Sequence, residues 1–127
     1  MKQVIIGCVF MAFAVALGAF GAHGLKDLIE EDSLKTFETG VKYQVYHAFA
    51  ILLCGVLNIL LNTKKFNLSA NLFIIGIILF SFSLYILSFR EYIDGIRYIG
   101  IITPLGGISF IIAWLFIAFQ TYKLVKE

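Results

Sequence analysis

Four stretches of this chain are long, apolar and nearly free of charge: residues 4–22, 41–61, 68–89 and 101–122. At 1.5 Å of rise per residue, about 20 helical residues match a hydrocarbon core of ~30 Å. Backbone inside that core must satisfy its own N–H and C=O groups, so such segments fold as helices. The expected class is all-α: a four-helix transmembrane bundle forming one integral membrane domain over residues 1–127. A short amphipathic interfacial segment is expected between helices one and two.

Composition supports this class. The chain is 61% hydrophobic and 14% charged, against roughly half and a quarter in a soluble domain. A net charge of +2, with no basic patch interleaved with aromatics, excludes nucleic acid as a partner. Cys8 and Cys54 both lie inside apolar runs, which suits small buried side chains better than a disulfide or a metal pair. Lys2 before the first run and the small residues Ala19–Ala22 at its end also fit a signal peptide. Three later runs of equal hydrophobicity favour a membrane span.

Ala14, Gly18 and Ala22 fall four apart, a spacing that lets helix backbones approach closely in lipid. Gly21, Gly106 and Gly107 are further candidate packing positions, and Gly18→Leu is expected to force helices apart. In the charged stretch Gly24–Thr36, Leu25, Leu28 and Ile29 are spaced for one side of a short interfacial helix. Asp32 or Ser33 could cap helix two. Leu34, Phe37 and Val41 continue at helical spacing, so that helix either starts before the membrane or is broken at Gly40. Asp94-Gly95 marks a turn, and Thr103-Pro104 suits the start of helix four.

Four spans place both termini on one face. Lys2, Lys64, Lys65, Lys123 and Lys126 lie there, and Lys26, Lys35, Lys42, Arg90 and Arg97 lie opposite, so the positive-inside rule ties. Most acidic residues lie opposite the termini, which favours cytoplasmic termini in the cell (plasma or inner) membrane.

The same topology collects polar residues at one end of the bundle. His23 ends helix one; Glu38, Lys42, Tyr43, Gln44 and His47 open helix two; Ser83, Tyr85 and Ser88 end helix three; Thr103 opens helix four. The other half reads as a greasy plug. His47 lies six residues into its run, roughly 9 Å below the mouth. Its face, shared with Tyr43, Ala50 and Cys54, should point inward, because a ring unpaired in lipid is costly. Expected partners are the Tyr85 hydroxyl, Ser88, Thr103 or a carbonyl near Gly21. These groups either satisfy one another and fix helix register, or form a binding or proton-handling site around His47, His23 and Glu38. The last three lack a diagnostic metal-ligand spacing, so no metal and no cofactor are expected. There is no Gly-rich phosphate loop, no His-Glu-x-x-His and no nucleophile elbow. The expectation is a non-enzymatic membrane protein acting by association with another membrane protein or with itself, in contact with the lipid bilayer. The alternative is a small-molecule, lipid-headgroup or proton-linked binding subunit that uses the polar chamber.

Gly18–Leu25, Phe37–His47, Ser83-Leu84-Tyr85 and Ile102–Gly107 resemble motifs of the domain of unknown function 423 family, the YgdD/YwdK-like small integral membrane proteins. The match runs in order along essentially the whole chain. The resemblance implies a four-helix membrane protein of uncharacterised activity and supplies no catalytic residue. Phe82 stands where the family pattern implies a smaller residue.

Overall fold

A computed structural model describes residues 1–126. Helix α1 (Lys2–Phe20) runs on through a π-turn, Gly21–Leu25. Helix α2 is Glu31–Leu60. The third span is built from α3 (Asn67–Gly76), a π-helical stretch (Ile77–Phe82) and α4 (Ser83–Leu87). A 3₁₀ turn, Ile96–Ile101, leads into α5 (Thr103–Lys126). Among the described residues, four helices are thus long and apolar enough to cross a membrane: Lys2–Leu25, Glu31–Leu60, Asn67–Leu87 and Ile96–Lys126. In the antiparallel up-and-down order, α1 packs on α2, α2 on the third span, and the third span on α5.

Helix two does start before the apolar run expected at residues 41–61. Its 30 residues are about 45 Å long at the helical rise, well beyond a ~30 Å core. The surplus is the charged end, Glu31–Gly40. Gly40 does not break the helix. A Cβ there would lie 2.7 Å from the Tyr85 ring, so its missing side chain seats that ring. The interfacial segment is narrower than the sequence suggests. It is no separate helix but a turn between the π-turn and α2, with Leu25 and Ile29 buried, Leu28 exposed and the charged side chains outside. Neither Asp32 nor Ser33 caps α2 directly. The Glu91 carboxylate, from the loop after the third span, accepts the Glu30 N–H at 3.2 Å and the Ser33 hydroxyl. An anion there also suits the positive end of the helix dipole. Beside it, Arg90 donates to Thr36 Oγ1 at 3.2 Å and the Tyr92 hydroxyl donates to the Leu28 carbonyl.

The α1–α2 seam uses small residues at a different spacing from the expected one. Gly7, Ala14 and Gly21 are buried, seven apart, facing α2. On α2, Val41, Ala48 and Gly55 are also seven apart. A Cβ on Gly7 would come within 2.8 Å of Leu52 N and 2.9 Å of the Ala48 carbonyl; one on Gly55 would come within 2.8 Å of Val4 N. Gly18 is less confined, its nearest neighbour being a Val41 methyl at 3.4 Å, and Ala22 is exposed. The reason is angular. At about 100° per residue, a four-residue step overshoots a turn by about 40°, whereas a seven-residue step falls about 20° short of two turns. The Ala14/Gly18/Ala22 row therefore walks off the interface.

Near the terminus-bearing end, the plug is not wholly apolar. Gln3 Nε2 donates to Asn67 Oδ1 at 2.7 Å and Asn58 Nδ2 donates to the same oxygen at 2.9 Å.

Candidate functional site: the interior polar tie and a lateral groove

Gln44 is fully buried and joins three spans. Its Nε2 donates to the Phe10 carbonyl of α1 at 2.8 Å, and its Oε1 accepts the Tyr85 hydroxyl at 2.8 Å. Gly40 and Gln44, one turn apart on α2, thus hold opposite ends of one tyrosine: the ring lies over the glycine and the hydroxyl reaches the amide. Phe37 packs on the same ring at 5.0 Å between centroids. Phe82 meets Tyr85 edge-on at 5.7 Å while itself facing outward, so its bulk does not intrude on this packing.

Ser83 and Thr103 form a second tie, at 2.7 Å, between the third span and α5. The Ser83 hydroxyl also lies 2.8 Å from the Phe80 carbonyl, and Ser88 donates to the Tyr85 carbonyl at 2.6 Å. Gly106 lets α5 sit against the Phe80 backbone, whereas Gly107 has room for a side-chain carbon.

His47 is buried, 5% exposed, and points into the protein. None of its expected partners holds it. Its Nδ1 lies 2.7 Å from the Tyr43 carbonyl, one turn back on its own helix. A carbonyl only accepts, so the proton sits on Nδ1, and in the neutral ring Nε2 is a bare acceptor. The imidazole lies flat on Phe110, with centroids 3.4 Å apart and planes 3° apart, and Phe73 closes another side at 5.5 Å. Phe110 reaches this place because Gly76 has no side chain: a Cβ there would overlap the Phe110 ring. Nε2 has no hydrogen-bond partner among the described residues and is not sealed from the surface. His47 lines a groove of about 520 Å³ between α1, α2 and α5, with Met11, Tyr43, Tyr46, Phe49 and Trp114. The groove opens sideways, toward where acyl chains would lie.

The expected chamber therefore resolves into separate pairs. Gln44 with Tyr85, and Ser83 with Thr103, come together; Ser88 bonds its own helix. His47 stands apart from them among aromatic rings. His23, Glu38 and Lys42 are exposed, and Tyr43 is 37% exposed at the groove rim. Glu38 and Lys42 share an outward face, one turn apart, so no His23–His47–Glu38 cluster forms. Among the described residues no group of His, Cys, Asp and Glu could hold a metal ion. Sequence reading missed the glycine seats at Gly40 and Gly76 and the Gln3–Asn58–Asn67 knot. Lone glycines and amides inside apolar runs were the available signal.

Comparison with known proteins agrees with the motif resemblance. Residues 17–107 match the family described as Protein of unknown function (DUF423). The chain is 41% identical over 121 residues to the UPF0382 membrane protein YwdK of Bacillus subtilis, covering 94% of this chain and 95% of that protein. It is 42% identical over 111 residues to a UPF0382 membrane protein of Haemophilus influenzae, covering 87% and 86% of the two chains. No solved structure matches it significantly. The four apolar spans, the ordered motifs and these relatives together place the chain in the DUF423 family of membrane proteins, whose function is uncharacterised.

Proposed function

We propose that the protein is a single non-enzymatic membrane domain that works by association, and that the lateral groove at His47 is its contact surface. The occupant is a transmembrane helix, from another membrane protein or a second copy of this chain, that presents a hydroxyl donor. The observation that carries this reading is the bare Nε2 of His47 in an otherwise apolar, lipid-facing groove. An acyl chain fills the groove but cannot donate a hydrogen bond; a Ser, Thr or Tyr on a neighbouring helix can. Interhelical bonds of this kind contribute about 1 kcal/mol in membranes. Tyr, Trp and Met along the groove are residue types enriched at protein interfaces.

A photo-crosslinking residue at Tyr46, which is 54% exposed beside the groove, tests this in native membranes. The expected product is one discrete protein adduct. Its yield should fall about fivefold in His47→Phe, which keeps a ring to stack on Phe110 and removes the acceptor. Adducts with lipid alone would overturn the reading. The groove volume also lies in the usual range for small-molecule pockets, roughly 300–1,000 Å³, which supports a second reading. A low-mass, non-lipid adduct with the same dependence on His47 would favour a hydroxylated small molecule as the occupant.

We place the termini in the cytoplasm, because the acidic residues gather on the opposite face. A cysteine at Lys64 should resist an impermeant reagent added outside intact cells, and one at Asp94 should react; the reverse pattern would invert the orientation.

A further inference from the structure

The bundle end that carries the first residue of α1 and the α2–α3 turn holds a second depression, of about 450 Å³. Lys2 and Lys64 flank it, and Gln3, Asn58, Thr63 and Asn67 line it. It differs in kind from the groove at His47, being polar and lying where the spans leave the hydrocarbon.

Its amides are oriented by one another. Asn67 Oδ1 accepts from both Gln3 and Asn58, while Asn58 Oδ1 accepts the Phe66 N–H at 3.2 Å. With its oxygen doubly occupied, Asn67 turns its NH₂ elsewhere, and that group has no protein partner among the described residues. Thr63 Oγ1 accepts the Lys65 N–H at 3.2 Å, which leaves its own O–H free to donate. Asn67 is also the first residue of α3, whose dipole is positive at that end. No carboxylate among the described residues lines the depression, and the two Lys35 ion pairs, with Glu31 and Asp32, lie at the far end of the molecule. The depression thus offers two ammonium groups and several fixed donors, with no negative charge among its described lining residues.

We propose that this depression binds a phosphate group. The Lys2 and Lys64 side chains provide the charge, and the Asn67 amide and Thr63 hydroxyl provide directed donors. The phosphate belongs either to an anionic lipid headgroup, which lies at this depth beside span ends, or to a free phosphate.

The test uses the full chain in mild detergent and compares phosphatidylglycerol, phosphatidylcholine and inorganic phosphate, read by thermal stability and by native mass spectrometry. The variant pair is Lys2→Gln with Lys64→Gln. The control pair, Lys123→Gln with Lys126→Gln, removes equal charge from lysines that lie over Phe119 and Tyr122 of their own helix. Phosphatidylglycerol should stabilise the parent and the control pair more than phosphatidylcholine does. It should bind the variant pair roughly thirtyfold more weakly. Stabilisation by inorganic phosphate with the same lysine dependence would assign the site to free phosphate. Equal loss in both pairs would reduce the effect to net charge and overturn the proposal, as would no selective stabilisation by either phosphate source.

Discussion

Gly7→Leu and Gly106→Leu should each strip the membrane of folded protein, whereas Gly18→Leu should be far milder. The difference is what each new side chain meets. At Gly7 the first added carbon runs into Leu52 N and the Ala48 carbonyl of α2; at Gly106 it runs into Phe80 N at 2.5 Å. These are backbone atoms of neighbouring helices and cannot rotate away. The helices must separate, and overpacking of a fitted seam costs about 1–3 kcal/mol or more for each added group. Much of the association in lipid comes from this close van der Waals packing, so little remains to compensate. At Gly18 the neighbour is a single Val41 methyl at 3.4 Å, and Gly107 has only the Phe80 ring edge at 3.8 Å. Monodispersity after detergent extraction, with thermal unfolding of what survives, reads the series. Equal behaviour of Gly7→Leu and Gly18→Leu would show that the seven-residue seam is not where α1 meets α2.

The spans were legible because membrane insertion depends on summed hydropathy over about 20 residues, a property of the sequence that needs no knowledge of neighbours. The inward direction of His47 followed from the cost of stranding a polar ring in lipid, and the structure buries it. Its partner could not be read, because the choice between Tyr85, Thr103 and its own backbone turns on helix rotation by a few tens of degrees. The same limit displaced Glu38 and Lys42. Both are close in sequence to Gln44, yet they sit on the opposite side of a helix that turns about 100° per residue. The small-residue row on α1 drifted for that reason too. The glycine seats depend on two elements at once: Gly40 has meaning only with Tyr85 over it, and Gly76 only with Phe110 beside it. Likewise, the cap on α2 comes from Glu91, 61 residues away from Glu30 in sequence.

Removing the Gln44 amide should be the costliest loss of a polar group in the bundle. Gln44→Leu keeps the volume but discards two hydrogen bonds and leaves the hydroxyl of the buried Tyr85 without the amide oxygen that accepts its proton. An orphaned buried donor costs about 1–3 kcal/mol. The Phe10 carbonyl loses only a second donor, since its place in the α1 helix is unchanged. Tyr85→Phe should cost less, because the glutamine keeps its bond to Phe10. Once both partners are apolar nothing is stranded, so the double variant should be at least as stable as Gln44→Leu alone.

That relation gives the most direct test of the claim that α2 ties the spans together through an interior hydrogen-bond pair. A double-mutant cycle on Gln44→Leu and Tyr85→Phe, with reversible unfolding measured in bilayers or bicelles, isolates the shared term. The two single losses together should exceed the double loss by about 0.5–2 kcal/mol. Strictly additive losses would contradict it, and would mean that the amide and the phenol do not meet in the folded membrane protein.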